Sequence, residues 1–335
     1  MSTVHLPDDL REALTEQLRA TAPTRASAHV ERLIENYRGT TPTAAPILRD
    51  AADVAAYAAY RMPATYAAVR SALGALRDRA GGWAPGTHLD LGGGTGAATW
   101  AVADAWPDGG HASTVLDWSQ AALTLGGALA GSADAPAVRE ARWTRTPLGG
   151  APALPASDLV TLSYVIGELT AADRASLVDA AAEATLGALV IAEPGTPDGY
   201  ARIIEARDRL IAAGLTVLAP CPHDAACPVG AGDWCHFAAR VQRSSLHRQI
   251  KGGTLPYEDE KFSYVAAVRP AAVPARPAAN RVVRHPQIRK GLVLLDLCTR
   301  DDGLSRATVT KRHGDAYRAA RAADWGTEWP AAGPE

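Results

Sequence analysis

A glycine-rich turn between a short apolar run and a helix-compatible run constrains the fold of this chain more than any other feature. Residues 88–91 (HLDL) lead directly into residues 92–96 (GGGTG), and an alanine-rich stretch with Trp100 follows. Glycines tolerate positive φ angles and let the N–H groups at the start of a helix approach a polar ligand closely. The order strand, glycine turn and helix therefore predicts an α/β sheet with a cofactor site at this turn. A turn that serves only tight strand–helix packing is the alternative.

Strand-like apolar segments recur along the chain with helix-compatible segments between them. The strand-like segments are residues 113–116, 158–162, 188–192 and 262–268, and the helical ones include residues 119–130 and 171–184. This alternation is typical of a doubly wound parallel sheet. The chain has 335 residues, of which 47% are hydrophobic and 21% charged, a composition that suits a folded protein with a large core rather than a disordered one.

Helical periodicity dominates the first part of the chain. Apolar residues recur at helical spacing at Leu10, Leu14 and Leu18, and again at Val30, Leu33, Ile34 and Tyr37. A third helical run, residues 50–76, is rich in alanine and contains Pro63, where a proline is expected to end or kink the helix.

The chain therefore divides into three predicted regions. They are a helical N-terminal module at 1–85, an α/β domain at 86–270 with a Cys-rich insertion at 220–253, and a small basic β module at 271–335 with strands near 281–283, 291–297 and 307–309.

An acidic residue follows the glycines at the spacing of a ribose-binding carboxylate. Asp117 ends the next strand-like segment, where it is placed to accept hydrogen bonds from both hydroxyls of an adenosine ribose. The spacing alone does not separate NAD from S-adenosylmethionine. The form Asp90-x-Gly92-x-Gly94-x-Gly96, however, resembles motif I of class I S-adenosylmethionine-dependent methyltransferases, which have a Rossmann-like fold. That resemblance implies that these four residues and Asp117 bind S-adenosylmethionine.

Three of the four cysteines lie close together in a segment without periodicity. Cys221, Cys227 and Cys235 stand among prolines and glycines, and Cys298 follows at the end of a strand-like run. Four thiolates can ligate a zinc ion or a [4Fe–4S] cluster, and this spacing does not decide between them. The alternatives are buried unliganded thiols, one catalytic cysteine, or a ligand set in which His223 or His236 replaces a thiol.

Several sequence motifs together resemble one protein family, the Rsm22 family of methyltransferase-like proteins of the bacterial and mitochondrial small ribosomal subunit. The resemblance covers most of the chain. The motifs are YRMPATY at 60–66, the glycine turn, SYVIGEL at 163–169, EPGTP at 193–197, CPH at 221–223, DWCHF at 233–237, EKFSY at 260–264, LCT at 297–299, KR at 311–312 and WG at 325–326. The resemblance implies a [4Fe–4S] cluster held by Cys221, Cys227, Cys235 and Cys298, with zinc as the alternative, and a cluster would tie the C-terminal module to the α/β domain.

The charge of the chain is unevenly distributed. The formal net charge is −2, yet residues 236–321 contain 17 Lys and Arg against 7 Asp and Glu, a net +10, so the remainder carries −12. A basic segment on an otherwise acidic protein is typical of a phosphate-binding surface, although a solvated basic surface without a ligand is the alternative. With the Rsm22 resemblance, we expect this segment to bind rRNA of the small ribosomal subunit or of its precursor particle.

Candidate catalytic residues follow the strand-like run at 158–162. Tyr164 could stack on a base and Glu168 could accept a proton, in place of the (Asp/Asn)-Pro-Pro-(Tyr/Phe) motif of many nucleic-acid amino-methyltransferases.

The candidate functions are an rRNA methyltransferase and a non-catalytic assembly factor that uses the methyltransferase fold as a scaffold. A small-molecule methyltransferase is the third, and it leaves the basic and Cys-rich segments without a role. We expect a cytoplasmic monomer with no membrane partner.

Overall fold

The computed structural model describes residues 3–19, 51–243 and 255–330. The predicted helical spacing at Val30–Tyr37, residues 244–253 of the Cys-rich insertion, and the basic residues Arg248 and Lys251 lie outside the described residues.

The described residues form helices and strands in alternation through most of the chain. The helices are α1 (Asp8–Arg19), α2 (Ala51–Arg77), α3 (Ala97–Ala105), α4 (Gln120–Ala130), α5 (Pro136–Arg139), α6 (Ala171–Ala184), α7 (Pro197–Ala212) and α8 (Asp315–Ala322), with 3-10 turns at Ile166–Glu168 and Lys311–His313. The strands are β1 (Thr3–Val4), β2 (Thr87–Leu91), β3 (Ala112–Asp117), β4 (Arg142–Arg145), β5 (Ser157–Ser163), β6 (Thr185–Pro194), β7 (Thr216–Ala219), β8 (Phe237–Gln242), β9 (Tyr257–Val268), β10 (Asn280–Val282), β11 (Gln287–Arg289), β12 (Leu292–Thr299) and β13 (Gly303–Thr310).

The large sheet has the doubly wound arrangement that the sequence predicts, with one difference. Its order is β1-β8-β9-β6-β5-β2-β3-β4, and β7 also pairs with β9. Five neighbouring strands, β4, β3, β2, β5 and β6, are parallel, and β4 is the edge strand of this half of the sheet. Strand β9 is antiparallel to β6, β7 and β8, so the sheet is mixed rather than parallel throughout. Strand order reverses between β2 and β5, and ligands of open α/β sheets bind at such a switch point.

Helix α2 continues through Pro63 rather than ending there. One face of it is buried against the sheet and α3, with Met62, Tyr66, Val69 and Leu73 at most 1% exposed. Burial of this apolar face offsets the hydrogen bond that proline removes. Helix α1 adds Leu10 and Leu14 to the same core. Strand β1 pairs with β8 at Thr3↔Arg240, which attaches the N-terminal segment to the edge of the large sheet.

A second sheet forms from residues 280–310. Strands β10 and β11 pair with one edge of β12 and β13 pairs with the other, all antiparallel. Helix α8 packs on this sheet through Ala320, and Val282, Val293, Leu295, Leu297 and Val309 complete a separate small core. Strands β10, β12 and β13 fall on the segments that the sequence predicts, whereas β11 is fully exposed and has no apolar alternation that could reveal it. No helix in the described ranges is long and apolar enough to cross a bilayer.

Candidate functional site

The glycine turn lies between β2 and α3, at the switch point of the sheet. Gly92, Gly94 and Gly96 have φ angles of 67°, 55° and 88°. A Cβ at Gly92 would lie 2.3 Å from Cγ2 of Val165, and a Cβ at Gly96 would lie 2.6 Å from Cη2 of Trp143. Side chains are therefore excluded at Gly92 and Gly96 by both conformation and contact, because both neighbours belong to the packed interior. At Gly94 only the conformation requires glycine, since the nearest atom lies 3.8 Å away.

Asp117 ends β3 beside this turn. Its Oδ2 accepts a hydrogen bond from the Gly94 N–H at 2.9 Å, and its Oδ1 accepts one from the Ser119 N–H at 2.7 Å. The side chain is 7% exposed. Burial raises the pKa of Asp117, and the two N–H donors oppose that rise. Each carboxylate oxygen has two acceptor positions, so a ligand hydroxyl could still bind after these contacts are made.

Asp90 lies beneath the turn rather than at its surface. It is fully buried, and its Oδ1 and Oδ2 accept hydrogen bonds from the hydroxyls of Thr161 at 2.9 Å and Thr99 at 3.1 Å. Burial raises the pKa of Asp90 to about 6, and these two hydrogen bonds oppose the shift. The side chain thereby joins β2, β5 and α3 under the loop. These contacts are typical of a structural residue that holds the glycine turn in place from the interior of the protein.

Tyr164 follows β5 at the same edge of the sheet, with its side chain held by two charged residues. Its Oη donates to Oε1 of Glu260 at 2.9 Å, and the guanidinium carbon of Arg61 lies 5.1 Å from the ring centroid. Arg61 also forms a two-point ion pair with Glu260, at 3.0 and 3.3 Å. Burial, followed by the charge of Glu260, raises the pKa of Tyr164 well above its ordinary value.

The backbone at Tyr164 is also unusual. Among the described residues it is the non-glycine residue with a positive φ, 59°. Glu168, the second candidate from the sequence, is exposed at the end of the 3-10 turn that follows.

Glu193 is a buried carboxylate at this edge that sequence reasoning did not select as a site residue. It lies near the end of β6 and is 1% exposed. Its Oε2 accepts a hydrogen bond from Nε of Arg202 at 2.7 Å, while Oε1 is buried without a partner in the described residues. Burial raises its pKa, and Arg202 opposes the rise. Its position at a strand end, directly before Pro194, is the sequence signal that could have indicated it.

The four cysteines line a single cavity of about 30 Å³. Three come from the loop between β7 and β8, and Cys298 comes from β12 of the second sheet. Within the described ranges, no three His, Cys, Asp or Glu side chains already stand as a set of metal ligands. The tertiary structure thus gathers the four predicted thiols without bringing their sulfurs to ligand spacing.

The thiols have few polar contacts in this cavity. Oη of Tyr200 lies 3.2 Å from Sγ of Cys227, and Nε2 of His223 lies 3.7 Å from Sγ of Cys298. Burial raises the pKa of Cys298 to about 12 and also raises the pKa values of Cys221 and Cys235. Thiolates in this cavity therefore require a nearby positive charge.

The two histidines that could replace a thiol lie differently. His223 contacts Cys298, whereas His236 stacks on Trp234 with ring centroids 5.3 Å apart.

Eleven of the basic residues of the segment 236–321 fall into two groups. One group is held within the protein by carboxylates or backbone carbonyls: Arg240, Arg243, Arg269, Arg281, Arg284, Arg300 and Arg306. The other group is exposed at one end of the second sheet: Arg289, Lys290, Lys311 and Arg312. The Lys311 N–H donates to the Gly291 carbonyl at 3.1 Å, which places the turn after β13 beside the turn between β11 and β12. We call these four residues the C-terminal basic surface.

Comparison with known families identifies the relatives of this chain. A family model described as mitochondrial small ribosomal subunit Rsm22 matches residues 51–330. The chain belongs to the Rsm22 family. The matched range runs from α2 to the last described residue, so it contains the glycine turn, Tyr164, the cysteine cavity and the C-terminal basic surface.

Individual relatives include two mitochondrial proteins. Human "Ribosome assembly protein METTL17, mitochondrial" is 30% identical over an alignment of 303 residues, and the match covers 83% of this chain and 62% of that protein. "Rsm22-cox11 tandem protein 2, mitochondrial" of Schizosaccharomyces pombe is 27% identical over an alignment of 190 residues, and the match covers 44% of this chain and 25% of that protein. This member of the Rsm22 family thus spans about three fifths of the human relative.

Solved structures similar to this Rsm22 protein include methyltransferases. An O-methyltransferase family protein from Burkholderia thailandensis has 15% identity and a TM-score of 0.44, covering 77% of this chain and 71% of that one. Magnesium protoporphyrin IX methyltransferase from Synechocystis, solved with bound SAM, has 12% identity and a TM-score of 0.40, covering 70% and 90%.

Proposed function

We propose that this protein is an assembly factor of the small ribosomal subunit that binds S-adenosylmethionine at the glycine turn and precursor rRNA at the C-terminal basic surface. Membership of the Rsm22 family carries the ribosomal part of the proposal. The human relative is named a ribosome assembly protein, which agrees with it.

The geometry of the glycine turn supports S-adenosylmethionine binding. The turn lies at the switch point of the sheet, where α/β proteins bind nucleoside cofactors. Gly92 and Gly96 keep its backbone free of side chains, and Asp117 has acceptor capacity left for ribose hydroxyls. When bound, the cofactor would supply an electrophilic methyl group. The chain itself would orient the cofactor through the backbone of the turn and the carboxylate of Asp117.

The surroundings of Tyr164 favour a scaffold over a catalyst. Its hydroxyl is already hydrogen-bonded to Glu260, and its raised pKa opposes formation of the phenolate. Proton transfer from a substrate to Tyr164 would require this network with Arg61 to break. Glu193 supports the second candidate, an rRNA methyltransferase, because its buried Oε1 is available at the same edge of the sheet. A carboxylate with a raised pKa in such a position suits a general base.

The cysteine cavity supports a metal–thiolate centre. Four soft donors from two parts of the chain line it, and the raised pKa values of Cys221, Cys235 and Cys298 would fall on binding a cation. We propose a [4Fe–4S] cluster held by Cys221, Cys227, Cys235 and Cys298. Zinc is the second candidate, because the same four thiolates can also hold a single tetrahedral ion.

The first experiment measures transfer of labelled methyl groups from S-adenosylmethionine. The acceptor is small-subunit particles from a strain that lacks this protein, and the protein is prepared without oxygen. For an assembly factor we expect salt-sensitive binding to the particle without labelled rRNA. Labelled rRNA that disappears with Glu193→Gln but persists with the surface variant Glu183→Gln would establish the methyltransferase instead. Absence of particle binding would contradict both candidates.

A further inference from the structure

Two arginines are buried in the wall of the cysteine cavity. Arg207 of α7 is 1% exposed and Arg281 of β10 is 5% exposed, and both line the cavity together with the four cysteines. Arginine is seldom buried to this degree unless its charge is compensated. The contacts of these two side chains therefore indicate what the cavity is built to hold.

Arg207 binds the cysteine loop through its backbone. One terminal nitrogen donates to the carbonyls of His223 at 2.9 Å and Ala225 at 2.7 Å. The other lies 3.2 Å from Oδ1 of Asp208, whose side chain is 63% exposed and therefore compensates the charge weakly. The Nε of Arg207 is buried without a hydrogen-bond partner.

Arg281 joins the other wall of the cavity to the end of the described chain. Its Nε donates to the Pro220 carbonyl at 3.0 Å, and one terminal nitrogen donates to the Gly326 carbonyl at 2.9 Å. The second terminal nitrogen is buried without a partner. No ion pair joins Arg281 to a carboxylate of residues 3–19, 51–243 and 255–330. Glu328, which pairs with Arg281 in an isolated β-bridge, forms its ion pair with Arg79 instead. Arg79 faces Arg281 as a like charge, and the pKa of Arg79 is lowered first by burial and then by Arg281.

These two cations are at most weakly compensated while the thiols are neutral, because among the described residues only the exposed carboxylate of Asp208 lies within ion-pair distance of either guanidinium. Leaving a charge buried without a counter-ion is strongly destabilising. Four thiolates around a zinc ion, or around an oxidised [4Fe–4S] core, form a centre that is dianionic overall. Two guanidinium groups neutralise such a centre, and their unpartnered N–H groups can donate to its sulfurs, a contact that stabilises metal–thiolate centres.

We propose that Arg207 and Arg281 are the counter-charges of a dianionic metal–thiolate centre on the four cysteines. The proposal rests on the proposed metal centre but does not depend on whether iron or zinc occupies it. Both arginines act as positioning residues, because each also holds a wall of the cavity through backbone carbonyls. Their positive charges would favour metal binding, because neutral side chains at these two positions would leave the negative charge of the buried centre without a counter-charge.

The test compares retention of metal in charge-removing and charge-retaining variants. Full-length Arg207→Gln and Arg281→Gln, purified without oxygen, are challenged with an iron or zinc chelator beside the corresponding Lys variants. We expect the Gln variants to lose metal about tenfold faster or more, because buried charge pairs contribute strongly. The Lys variants should lie between them and the wild type. The control is Arg269→Gln, whose guanidinium likewise binds backbone carbonyls, those of Thr185, Ala182 and Ala213, away from the cavity.

A second measurement separates the charge from a purely structural role. Thermal unfolding is followed for each Gln substitution in the metal-loaded protein and in the metal-free Cys298→Ser background. In the metal-loaded protein we expect each Gln substitution to lower the unfolding temperature strongly. In the metal-free Cys298→Ser background we expect a smaller decrease or an increase, because there the substitution removes a buried charge that has no counter-charge. Equal losses in both backgrounds, or Gln variants that keep metal like the control, would overturn the proposal. If the wild type itself carries no metal, the proposed centre fails before any variant is compared, and this inference fails with it.

Discussion

The carboxylate of Asp117 holds the glycine turn at Gly94. The distance from Oδ2 to the Gly94 nitrogen is 2.9 Å, and the same side chain receives the Ser119 N–H at the start of α4. One residue at the end of β3 therefore fixes the loop after β2 and the beginning of the next helix. The acid proposed to bind ribose also shapes the loop that would bind the rest of the cofactor.

Loss of this carboxylate should weaken cofactor binding. We expect Asp117→Asn to raise the Kd for S-adenosylmethionine about tenfold, because one charge-assisted contact is lost, and Asp117→Ala to raise it further. Calorimetric titration measures both. The control is Asp158→Asn, since Asp158 similarly accepts the N–H groups of Gly86 and Thr87 but at the opposite end of the strands. A wild-type Kd in Asp117→Ala would contradict the proposed site.

Two glycines of the turn provide a matched pair. Alanine at Gly94 meets only the cost of its positive φ, about 1 kcal/mol, whereas alanine at Gly92 also collides with Val165. We therefore expect Gly92→Ala to lower the free energy of unfolding by about 2 to 4 kcal/mol and Gly94→Ala by about 1 kcal/mol. Urea denaturation measures the difference. Equal losses would show that the contact with Val165 is not rigid.

The raised pKa of Asp90 should appear in the dependence of stability on pH. A carboxyl whose pKa is about 6 in the folded protein and 3.8 ordinarily binds its proton more tightly when folded. Its contribution to stability is therefore complete below about pH 3.8 and is lost as the pH rises through 6. Asp90→Asn should show a smaller decrease in the free energy of unfolding over this range than the wild type. Parallel pH profiles for the two proteins would contradict this assignment.

The C-terminal basic surface should account for part of the salt dependence of RNA binding. We expect Lys311→Gln with Arg312→Gln to weaken binding to small-subunit rRNA and to reduce the slope of log K against log salt by about 1 for each lost phosphate contact. Filter binding at several salt concentrations measures this slope. Arg306→Gln is the control, because Arg306 is paired with Asp296. An unchanged slope in the double variant would show that RNA binds at another surface of the protein.

A metal centre would also join the second sheet to the large one. We expect Cys298→Ser to speed proteolysis between residues 270 and 330, because the link between β12 and the cysteine loop is lost. Mass spectrometry of the fragments locates the cleavage. Thr299→Ser, the adjacent residue outside the cavity lining, is the control. Resistance equal to that of the wild type would mean that the second sheet is held by its other contacts, such as those of Arg281.

Much of the large sheet follows from local sequence. The runs that became β2, β3, β5 and β6 are rich in apolar residues because most positions of each strand are buried, on both faces of the sheet. The glycine turn marks the switch point directly. Strand β4 is mostly exposed, so its sequence carries no comparable signal. The antiparallel direction of β9 depends on how the preceding loops connect the strands, and hydrophobic periodicity does not indicate strand direction.

The chemistry of the buried polar groups needed the tertiary structure. The four thiols, the glycine turn and the acid at Asp117 could be predicted from the sequence, since each is a residue type at a defined spacing. Only the fold decided that Tyr164 is held by Glu260 and Arg61, and that Arg207 and Arg281 meet the four cysteines in one cavity. The physical reason is that burial of a charge depends on contacts between residues far apart in the chain, as with Arg281 and Pro220, and no local pattern records which side chains will share the same interior.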